Sequence, residues 1–375
     1  MRRGPFLAGW VIPGSQMRFR HVCVEAFAYR LAPDVIRSEE IEDRLSPVYE
    51  RLGLPAGRLE MMTGIKQRRF FPRGTRPGAI SAETVKQLIR VSGFDTAQIG
   101  ALLHGSVCRD QLEPATANAV HLAAKLPQHC LILDVSNACL GLLNGIVILA
   151  NMIESGQIRA GIVTGTEVGR GLVEATIEAL LNHPEVTRQD VKLAFASLTI
   201  GSGSAAILLC DRRLSRTGNR LLGGAFLSDT ASHHLCSGGD AAARNTTDGP
   251  QMRTNSEALL HAGVDLAERT WDAARHTLGW SNTDVDKVFT HQVGHAHRRL
   301  LLQRLGLPET SDFPTVEFLG NTGAVALPIT AALGIERGHL AAGDQVALLG
   351  IGSGLNALML GIDWQTNPSQ LSGVD

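Results

Sequence analysis

The stretch that decides the fold is residues 131–161, LILDVSNACLGLLNGIVILANMIESGQIRAG. A short apolar run followed by residues with helical spacing predicts a buried strand over 131–135, a sharp turn that carries Cys139, and an apolar helix. Backbone N–H groups at a helix start favour a thiolate over a thiol. A lone cysteine in an apolar segment more often serves core packing. The case for Cys139 as a nucleophile therefore depends on its partners.

The second half of the chain repeats this unit. Residues 153–161 (IESGQIRAG) match residues 335–343 (IERGHLAAG) at an offset of 182 (335 − 153). At the same offset, Cys139 coincides with Asn321. Two matched halves built of βαβ units predict an α/β protein in which these two turns meet at a pseudo-twofold axis.

Strand and helix patterns alternate along the rest of the chain. The pattern predicts strands at 17–27, 99–107, 161–165, 285–290, 315–319 and 345–350, helices at 38–52, 81–91, 116–126, 255–278, 294–305 and 325–337, and loops at 63–71 and 228–255. It divides the chain into an N-terminal extension (1–16), an N-terminal half (17–212) and a C-terminal half (213–375).

Composition excludes several classes of protein. The 375 residues carry a net charge of −1, which gives no basic surface for nucleic acid or an anionic membrane. Six cysteines without CxxC spacing argue against a disulfide framework or a zinc site and for a reducing cytosol. No apolar run reaches membrane-spanning length, and the N-terminal MRRGPFLAGWVIPG is too broken for an export signal. We expect a cytoplasmic protein without a membrane span.

Three polar residues follow corresponding predicted strands: Cys139, His291 and Asn321. The carboxyl ends of strands are where α/β sheets place ligands. A thiolate can attack a thioester, and imidazole and amide N–H groups can stabilise the oxygen on which negative charge develops. In isolation, His291 would be a core histidine and Asn321 a turn residue. Their occurrence together on matched elements favours acyl transfer.

A metal site is the competing interpretation of the histidines. His291, His295 and His297 lie close together in the sequence. No acidic or cysteine residue is adjacent, and helical spacing places His297 off the face of the other two. We therefore predict no metal.

The motifs NACLG at Cys139, THQ at His291, GNTG at Asn321 and the closing GIGSGLN resemble those of the thiolase superfamily, specifically the ketoacyl-synthase-III-like condensing enzymes. The resemblance covers nearly the whole chain from about Met17. Within this group, the chain is most similar to the OleA type, in the stretches SVCRDQLEP (residues 106–114) and DVSNACL (residues 134–140). It implies a five-layered αβαβα fold, a homodimer, and Cys139 as nucleophile with His291 and Asn321 as partners. It also implies an oxyanion hole made by the backbone N–H groups of Cys139 and Ser353.

The same resemblance singles out Glu113, because a glutamate of this loop enters the partner's site in OleA-type enzymes. Without the resemblance, Glu113 would be a solvated loop carboxylate. A decarboxylating synthase generates its carbanion by losing CO₂, whereas condensing two ordinary acyl thioesters requires a base at the α-carbon. A carboxylate in an apolar tunnel has a raised pKa suited to that task. We predict Claisen condensation of two fatty acyl thioesters to a β-keto acid or β-ketoacyl product, with Glu113 acting in the partner's site.

The chain departs from ketoacyl synthase III where that family clamps coenzyme A with a Trp and an Arg. Arg58 and Met62 stand at those positions, and Lys66, Arg68 and Arg69 offer phosphate contacts instead. The carrier of the acyl group, coenzyme A or acyl carrier protein, therefore stays open. No bound cofactor is expected.

Three other functions remain open at this point. A decarboxylating 3-oxoacyl-[acyl-carrier-protein] synthase III would consume a malonyl thioester. An acyltransferase would pass the acyl group from Cys139 to an oxygen or nitrogen acceptor. A scaffold subunit would pair with an active paralogue, although the presence of Cys139, His291 and Asn321 argues against it.

Overall fold

A computed structural model describes residues 16–239 and 251–367 of the protein. The predicted N-terminal extension lies outside these residues except for Gln16, which opens the first strand. The strands are β1 Gln16–Arg18, β2 Val22–Leu31, β3 Asp34–Arg37, β4 Gln67–Phe70, β5 Ile99–His104, β6 Leu131–Asp134, β7 Ala160–Glu167, β8 Gly203–Asp211, β9 Arg220–Ser228, β10 Cys236–Gly239, β11 Gln251–Thr254, β12 Lys287–Thr290, β13 Gln345–Gly352 and β14 Asn356–Asp363.

The helices lie between these strands. They are α1 Ser38–Arg44, α2 Ser46–Leu52, α3 Arg58–Thr63, α4 Pro77–Ser92, α5 Thr116–Ala124, α6 Gly141–Glu154, α7 Arg170–Asn182, α8 Arg188–Ala194, α9 Ser256–Leu278, α10 His295–Leu305, α11 Val316–Leu319 and α12 Ala326–Glu336. In the part of the chain that the structure describes, no helix combines the length and apolar content needed to cross a bilayer.

The sheet shows the predicted repeat. One half has the strand order β6-β5-β7-β8-β2 and the other the order β12-β13-β14-β9, and they join where Cys23 of β2 pairs with Arg220 of β9. From β5 and from β12, the successive pairs are parallel, antiparallel and antiparallel in both halves. The helices α6 and α12, which end at Glu154 and Glu336, keep the offset of 182 (336 − 154). The two halves therefore share one topology.

Three apolar clusters arrange these elements into five layers. The central cluster packs α6 and α12 between the two half-sheets. A second packs α4 on the outer face of the N-terminal half-sheet, and a third packs α9 and α10 on the outer face of the other. Burial of large apolar areas on both faces of each half-sheet is the main stabilising term. The predicted αβαβα fold is confirmed.

The predicted strand over 315–319 is wrong, because this segment forms the short helix α11. The side-chain oxygen of Gln292 accepts hydrogen bonds from the N–H groups of Thr315 (2.7 Å) and Val316 (2.9 Å). These two backbone N–H groups therefore cannot donate to a neighbouring strand. Beside β12, a parallel bridge joins Val288 to Asp312.

The sequence predicts no strand over 220–228, yet β9 is central. Its middle residues are Gly223 and Gly224, which weaken a strand pattern. A Cβ on Gly223 would lie 2.0 Å from the Met17 carbonyl oxygen, and one on Gly224 would lie 1.8 Å from that of Met359. Neighbouring backbones therefore require glycine at both positions.

Smaller differences concern segment boundaries. The predicted loop over 63–71 contains β4, and the predicted loop over 228–255 contains β10 and β11. The predicted helix over 38–52 is two helices that meet at Leu45. The predicted helix over 81–91 begins earlier, at Pro77, as expected for proline in a first helical turn.

Candidate active site

Cys139 lies in a 3-10 turn, residues 138–140, between β6 and α6. Ala138 directly before it has a φ of +44°, a left-handed conformation that costs about 1 kcal/mol or more for a residue with a side chain. Gly141, two residues after it, touches the residue that follows β5, since a Cβ there would lie 1.9 Å from the Gly105 carbonyl oxygen. The turn is therefore fixed on both sides of the cysteine.

The thiol of Cys139 is protonated at neutral pH. Burial, followed by the nearby Glu167 carboxylate, raises its pKa to about 12. The backbone N–H groups of Cys139 and Ser353 act in the opposite direction and lower this pKa, as expected of N–H groups at a helix start, but burial outweighs them.

A chain of asparagine side chains joins the Cys139 turn to the Ser353 turn. Asn356 donates its amide to the Asn137 side-chain oxygen (3.3 Å) and the Ser353 carbonyl (3.4 Å). Asn137 in turn donates to the side chain of Asn144 (2.8 Å). Sequence reasoning missed these contacts, although two of the asparagines lie in its NAC and GSGLN motifs.

His291 follows β12 and is buried, 5% exposed. Its backbone N–H donates to the Leu349 carbonyl (3.0 Å), which holds it beside β13. Burial, with a contribution from His297, lowers the pKa of His291 to about 3, so the imidazole is neutral. Within the described residues, its Nδ1 has no hydrogen-bond partner.

The charge of a protonated His297 would lower the pKa of His291 further. Burial lowers the pKa of His297 itself to about 4. In the ranges 16–239 and 251–367, no group of three or more histidine, cysteine, aspartate or glutamate side chains is arranged to hold a metal ion.

Asn321 is held by the N-terminal half. Its backbone N–H donates to the Thr199 carbonyl (2.9 Å), and its carbonyl accepts from the Gly201 N–H (2.8 Å). Its side-chain oxygen accepts from the Gly323 N–H (3.0 Å). The oxygen of the amide is thereby occupied, and its NH₂ group remains available as a donor.

These elements converge between the two halves. The 3-10 turn at residues 323–325, directly after Asn321, packs against the turn that holds Cys139. The Cys139 turn also packs against β13, the strand that pairs with β12 and its terminal His291. The three predicted residues are thus carried by elements that meet at the predicted junction.

Glu167, at the end of β7, is a site residue that the sequence analysis missed. It is buried, and its carboxylate accepts hydrogen bonds from the N–H groups of Val107 (3.0 Å), Cys108 (3.2 Å) and Ala324 (3.3 Å). Burial raises the pKa of Glu167. A buried acid that ends the apolar run AGIVTGT is the signal that could have identified it.

Glu113 lies in the loop between β5 and α5 and is exposed in the single chain. Its side chain forms no ion pair or hydrogen bond among the residues that the structure describes. The structure of one chain therefore presents Glu113 outward, away from the core of its own subunit.

The predicted phosphate-binding cations have three different environments. Lys66 is exposed and pairs with Glu317 (2.6 Å). Arg69 is half-buried and donates to the Ala32 carbonyl (3.2 Å). Arg68 is completely buried, donates to the Ser38 hydroxyl (3.0 Å), and has a pKa lowered by burial to about 10. A surface phosphate contact by Arg68 is incompatible with its burial.

The fold has five layers, and a cysteine, a histidine and an asparagine lie where its two repeated halves meet. This combination defines a condensing enzyme of the thiolase superfamily. The thiolase N-terminal domain model matches residues 60–191, and the model of the 3-oxoacyl-[acyl-carrier-protein] synthase III C terminus matches residues 276–364. An acyl-CoA:acyl-CoA alkyltransferase of Shewanella oneidensis is 43% identical over 93% of this chain and 100% of its own length. The chain belongs to the acyl-CoA:acyl-CoA alkyltransferase (OleA) family.

Further relatives agree. The acyl-CoA:acyl-CoA alkyltransferase of Xanthomonas campestris is 33% identical over 93% of this chain and its whole length. A crystal structure of a Cys-to-Ser variant of Xanthomonas campestris OleA with bound lauric acid and lauroyl-CoA has a TM-score of 0.87 at 33% identity, and covers 92% of this chain and 100% of that one. More distant relatives, 23–25% identical, are β-ketoacyl-[acyl-carrier-protein] synthases III.

Proposed function

We propose that the enzyme joins two fatty acyl-CoA thioesters through an acyl group held on Cys139. The sulfur attacks the first thioester carbonyl, a new C–S bond forms, and coenzyme A leaves as its thiol. The second acyl-CoA loses an α-proton, and its carbanion attacks the acyl-cysteine. The new C–C bond forms as the Cys139 sulfur is released, and a β-ketoacyl product results.

The observation that carries this proposal is the packing of the Cys139 turn against β13, which ends beside Ser353, and against the turn that follows Asn321. The backbone N–H groups of Cys139 and Ser353, which lower the pKa of the thiol, lie near the sulfur and so near the carbonyl oxygen of an acyl group attached to it. The N–H groups of Cys139 and Ser353 would therefore stabilise the oxyanion when the acyl-enzyme forms and when it is attacked.

His291 and Asn321 suit the remaining steps. Because Cys139 is protonated and burial keeps His291 neutral at pH 7, the thiol proton passes to the departing coenzyme A thiolate in concert with attack, and the imidazole acts as a relay that does not stay charged. The neutral imidazole also keeps one N–H. With the free NH₂ of Asn321, it can stabilise the enolate oxygen of the second thioester.

For the base that removes the α-proton, we assign Glu113 of the partner subunit. The side chain is exposed and unpaired among the described residues of one chain, as a group that acts in a neighbouring subunit must be. In Xanthomonas campestris OleA, variants of one cysteine and of one glutamate 26 positions before it have been crystallised. Glu113 and Cys139 have the same separation (139 − 113).

Delivery of Glu113 requires a homodimer, and the outer strand of the N-terminal half offers the surface for it. Strand β6 has a free edge in the single chain, and its side chains Leu131 and Leu133 are exposed. Leu112, beside Glu113, and Leu122 on α5 are exposed as well. An exposed edge flanked by apolar side chains pairs readily with a second copy.

Two competing reactions are less well supported. A decarboxylating synthase needs no base of the Glu113 type, and the β-ketoacyl-[acyl-carrier-protein] synthases III are the more distant relatives, at 23–25% identity. An acyltransferase to oxygen or nitrogen would need a separate acceptor site. Coenzyme A is the favoured carrier because an OleA structure binds lauroyl-CoA, and Lys66 is the exposed one of the three cations predicted to contact its phosphates. All six cysteines are free, which supports a reducing cytosol as the location.

The test separates the two half-reactions. Intact-protein mass spectrometry after addition of lauroyl-CoA measures acylation of Cys139, and analysis of extracted products measures condensation. Glu113→Ala should be acylated at the wild-type rate but lose condensation. Wild-type condensation by Glu113→Ala would remove the base assignment, and absence of any acyl adduct on the wild-type protein would remove the acyl-cysteine mechanism. Exposed Glu178→Ala is the matched control.

A further inference from the structure

Glu167 connects two separate parts of the active site. Its carboxylate accepts from Val107 and Cys108 on one side and from Ala324 on the other. Residues 107–108 begin the loop that leads to Glu113. Ala324 lies in the turn directly after Asn321.

The fit around this carboxylate is close. A Cβ on Gly323 would lie only 3.2 Å from Cγ and 3.3 Å from Oε1 of Glu167. The N–H of Val168, the next residue, donates to the Cys108 sulfur (3.4 Å), which adds a second link to the same loop. Moving Glu167 would therefore displace both the Asn321 turn and the first residues of the Glu113 loop.

We propose that Glu167 is a positioning residue: it fixes the turn at residues 323–325, which packs against the turn that holds Cys139, for acylation, and it fixes the loop that carries Glu113 into the partner's site for condensation. The second part rests on the function proposed above for Glu113. The first part does not, since it concerns only groups of one subunit.

The backbone contacts of Glu167 argue for a fixed carboxylate rather than one that transfers a proton. Three backbone N–H groups occupy its two oxygens, and a backbone donor cannot move away without disrupting its turn. The carboxylate is also close enough to the Cys139 sulfur for its charge to raise the pKa of that thiol. This electrostatic effect gives the proposal a signature that loss of stability alone would not produce.

The experiment uses Glu167→Gln and Glu167→Asp in the full chain, with exposed Glu178→Gln on α7 as the control. The glutamine variant has nearly the same shape but presents an NH₂ group to backbone N–H donors and removes the charge. We expect both acylation by lauroyl-CoA and condensation to fall at least tenfold, with kcat affected more than KM. We expect iodoacetamide to alkylate Cys139 several-fold faster at pH 8, because removal of the negative charge lowers the thiol pKa.

Glu167→Asp retains the charge but has a shorter reach, and it serves also if the glutamine variant is not recovered folded. It should lose the same two half-reactions while keeping the wild-type alkylation rate. Wild-type acylation in both variants would overturn the proposal. Loss of acylation together with slower alkylation and a lowered unfolding midpoint would assign Glu167 a purely structural role and overturn it too. Normal condensation by Glu113→Ala would instead defeat the base assignment and leave the acylation result for Glu167 intact.

Discussion

The two halves of the molecule share a topology but have different outer edges. The N-terminal half ends in the strand β6, whose edge is free and apolar. At the corresponding place, the C-terminal half has the short helix α11 and the bridge between Val288 and Asp312. The difference shows how a duplicated sheet can divide its tasks: one half keeps a strand suited to pairing with another subunit, and the other uses the segment to position Asn321.

The largest expected effect tests whether the two matched turns have different roles, with Cys139 as the nucleophile and Asn321 as a hydrogen-bond donor. Cys139→Ser should lower acylation by lauroyl-CoA at least about 1000-fold, because the residue that forms the covalent bond is lost. Asn321→Ala should lower turnover by about 100-fold, the usual cost of one oxyanion donor. Single-turnover mass spectrometry and steady-state product analysis measure the two rates. Equal losses in both variants would contradict unequal roles for the two turns.

The next prediction concerns the two edges. Leu133→Arg places a charge on the exposed face of β6, so we expect a monomer that still acylates Cys139 but condenses more than tenfold more slowly. Light scattering after size-exclusion chromatography measures the mass of the particle in solution and so distinguishes a monomer from a dimer. Leu181→Arg, at an exposed apolar position on α7, is the control and should leave the assembly unchanged. A dimer that persists in Leu133→Arg would place the subunit contact elsewhere.

A third prediction compares buried histidines in the two halves. Burial lowers the pKa of His104, at the end of β5, to about 4, as it lowers that of His291. The folded pKa lies below the unfolded value, so this stabilisation is complete above about pH 6.5 and is lost as the pH falls toward 4. Between pH 7 and pH 4.5, the free energy of unfolding falls in the wild type and in His104→Asn. We expect the fall to be about 2–3 kcal/mol smaller in His104→Asn, because the buried histidine is gone.

Urea unfolding at the two pH values gives this difference, and any constant packing loss cancels because each variant is compared with itself. Exposed His129→Asn should leave the pH dependence unchanged. Parallel curves for His104→Asn and wild type would show that His104 does not contribute to acid sensitivity.

The smallest expected effect concerns the asparagine chain that crosses between the halves. Asn356→Ala removes the contacts to Asn137 and Ser353, which are long at 3.3 and 3.4 Å, and the acceptor of the Ser228 hydroxyl (2.7 Å). We expect a loss of about 1 kcal/mol in stability and a several-fold lower acylation rate. Asn151→Ala, whose amide bonds only the carbonyl one turn earlier in α6, is the control. An unchanged acylation rate in Asn356→Ala would show that the Ser353 turn is held by its backbone alone.

Sequence patterns predicted the features that depend on neighbouring residues along the chain, namely the internal repeat and the alternation of strands and helices. The repeat at an offset of 182 placed Cys139 and Asn321 at matched turns, and the strand-helix alternation placed His291 at a strand end. The five layers came from the family resemblance, which the fold and the relatives confirm.

Features that depend on tertiary contacts were not predictable. Residues 315–319 have a strand pattern, but the Gln292 side chain takes their N–H groups. Arg68 lies in a basic run typical of a solvated surface, yet packing buries it. The pKa of Cys139 followed burial rather than the helix terminus. Glu167 is one acid at the end of an apolar strand, and only the approach of two distant loops shows what it binds.

The backbone bonds of Asn321 to Thr199 and Gly201 have a consequence for biosynthesis. Cys139 leaves the ribosome 182 residues before Asn321 (321 − 139). Until the later residue arrives, the nascent first half has an open peptide carbonyl and amide where its partner turn belongs, and its thiol lacks the amide that serves catalysis. The thiol of a growing chain therefore acquires the Asn321 amide only after residue 321 has been translated.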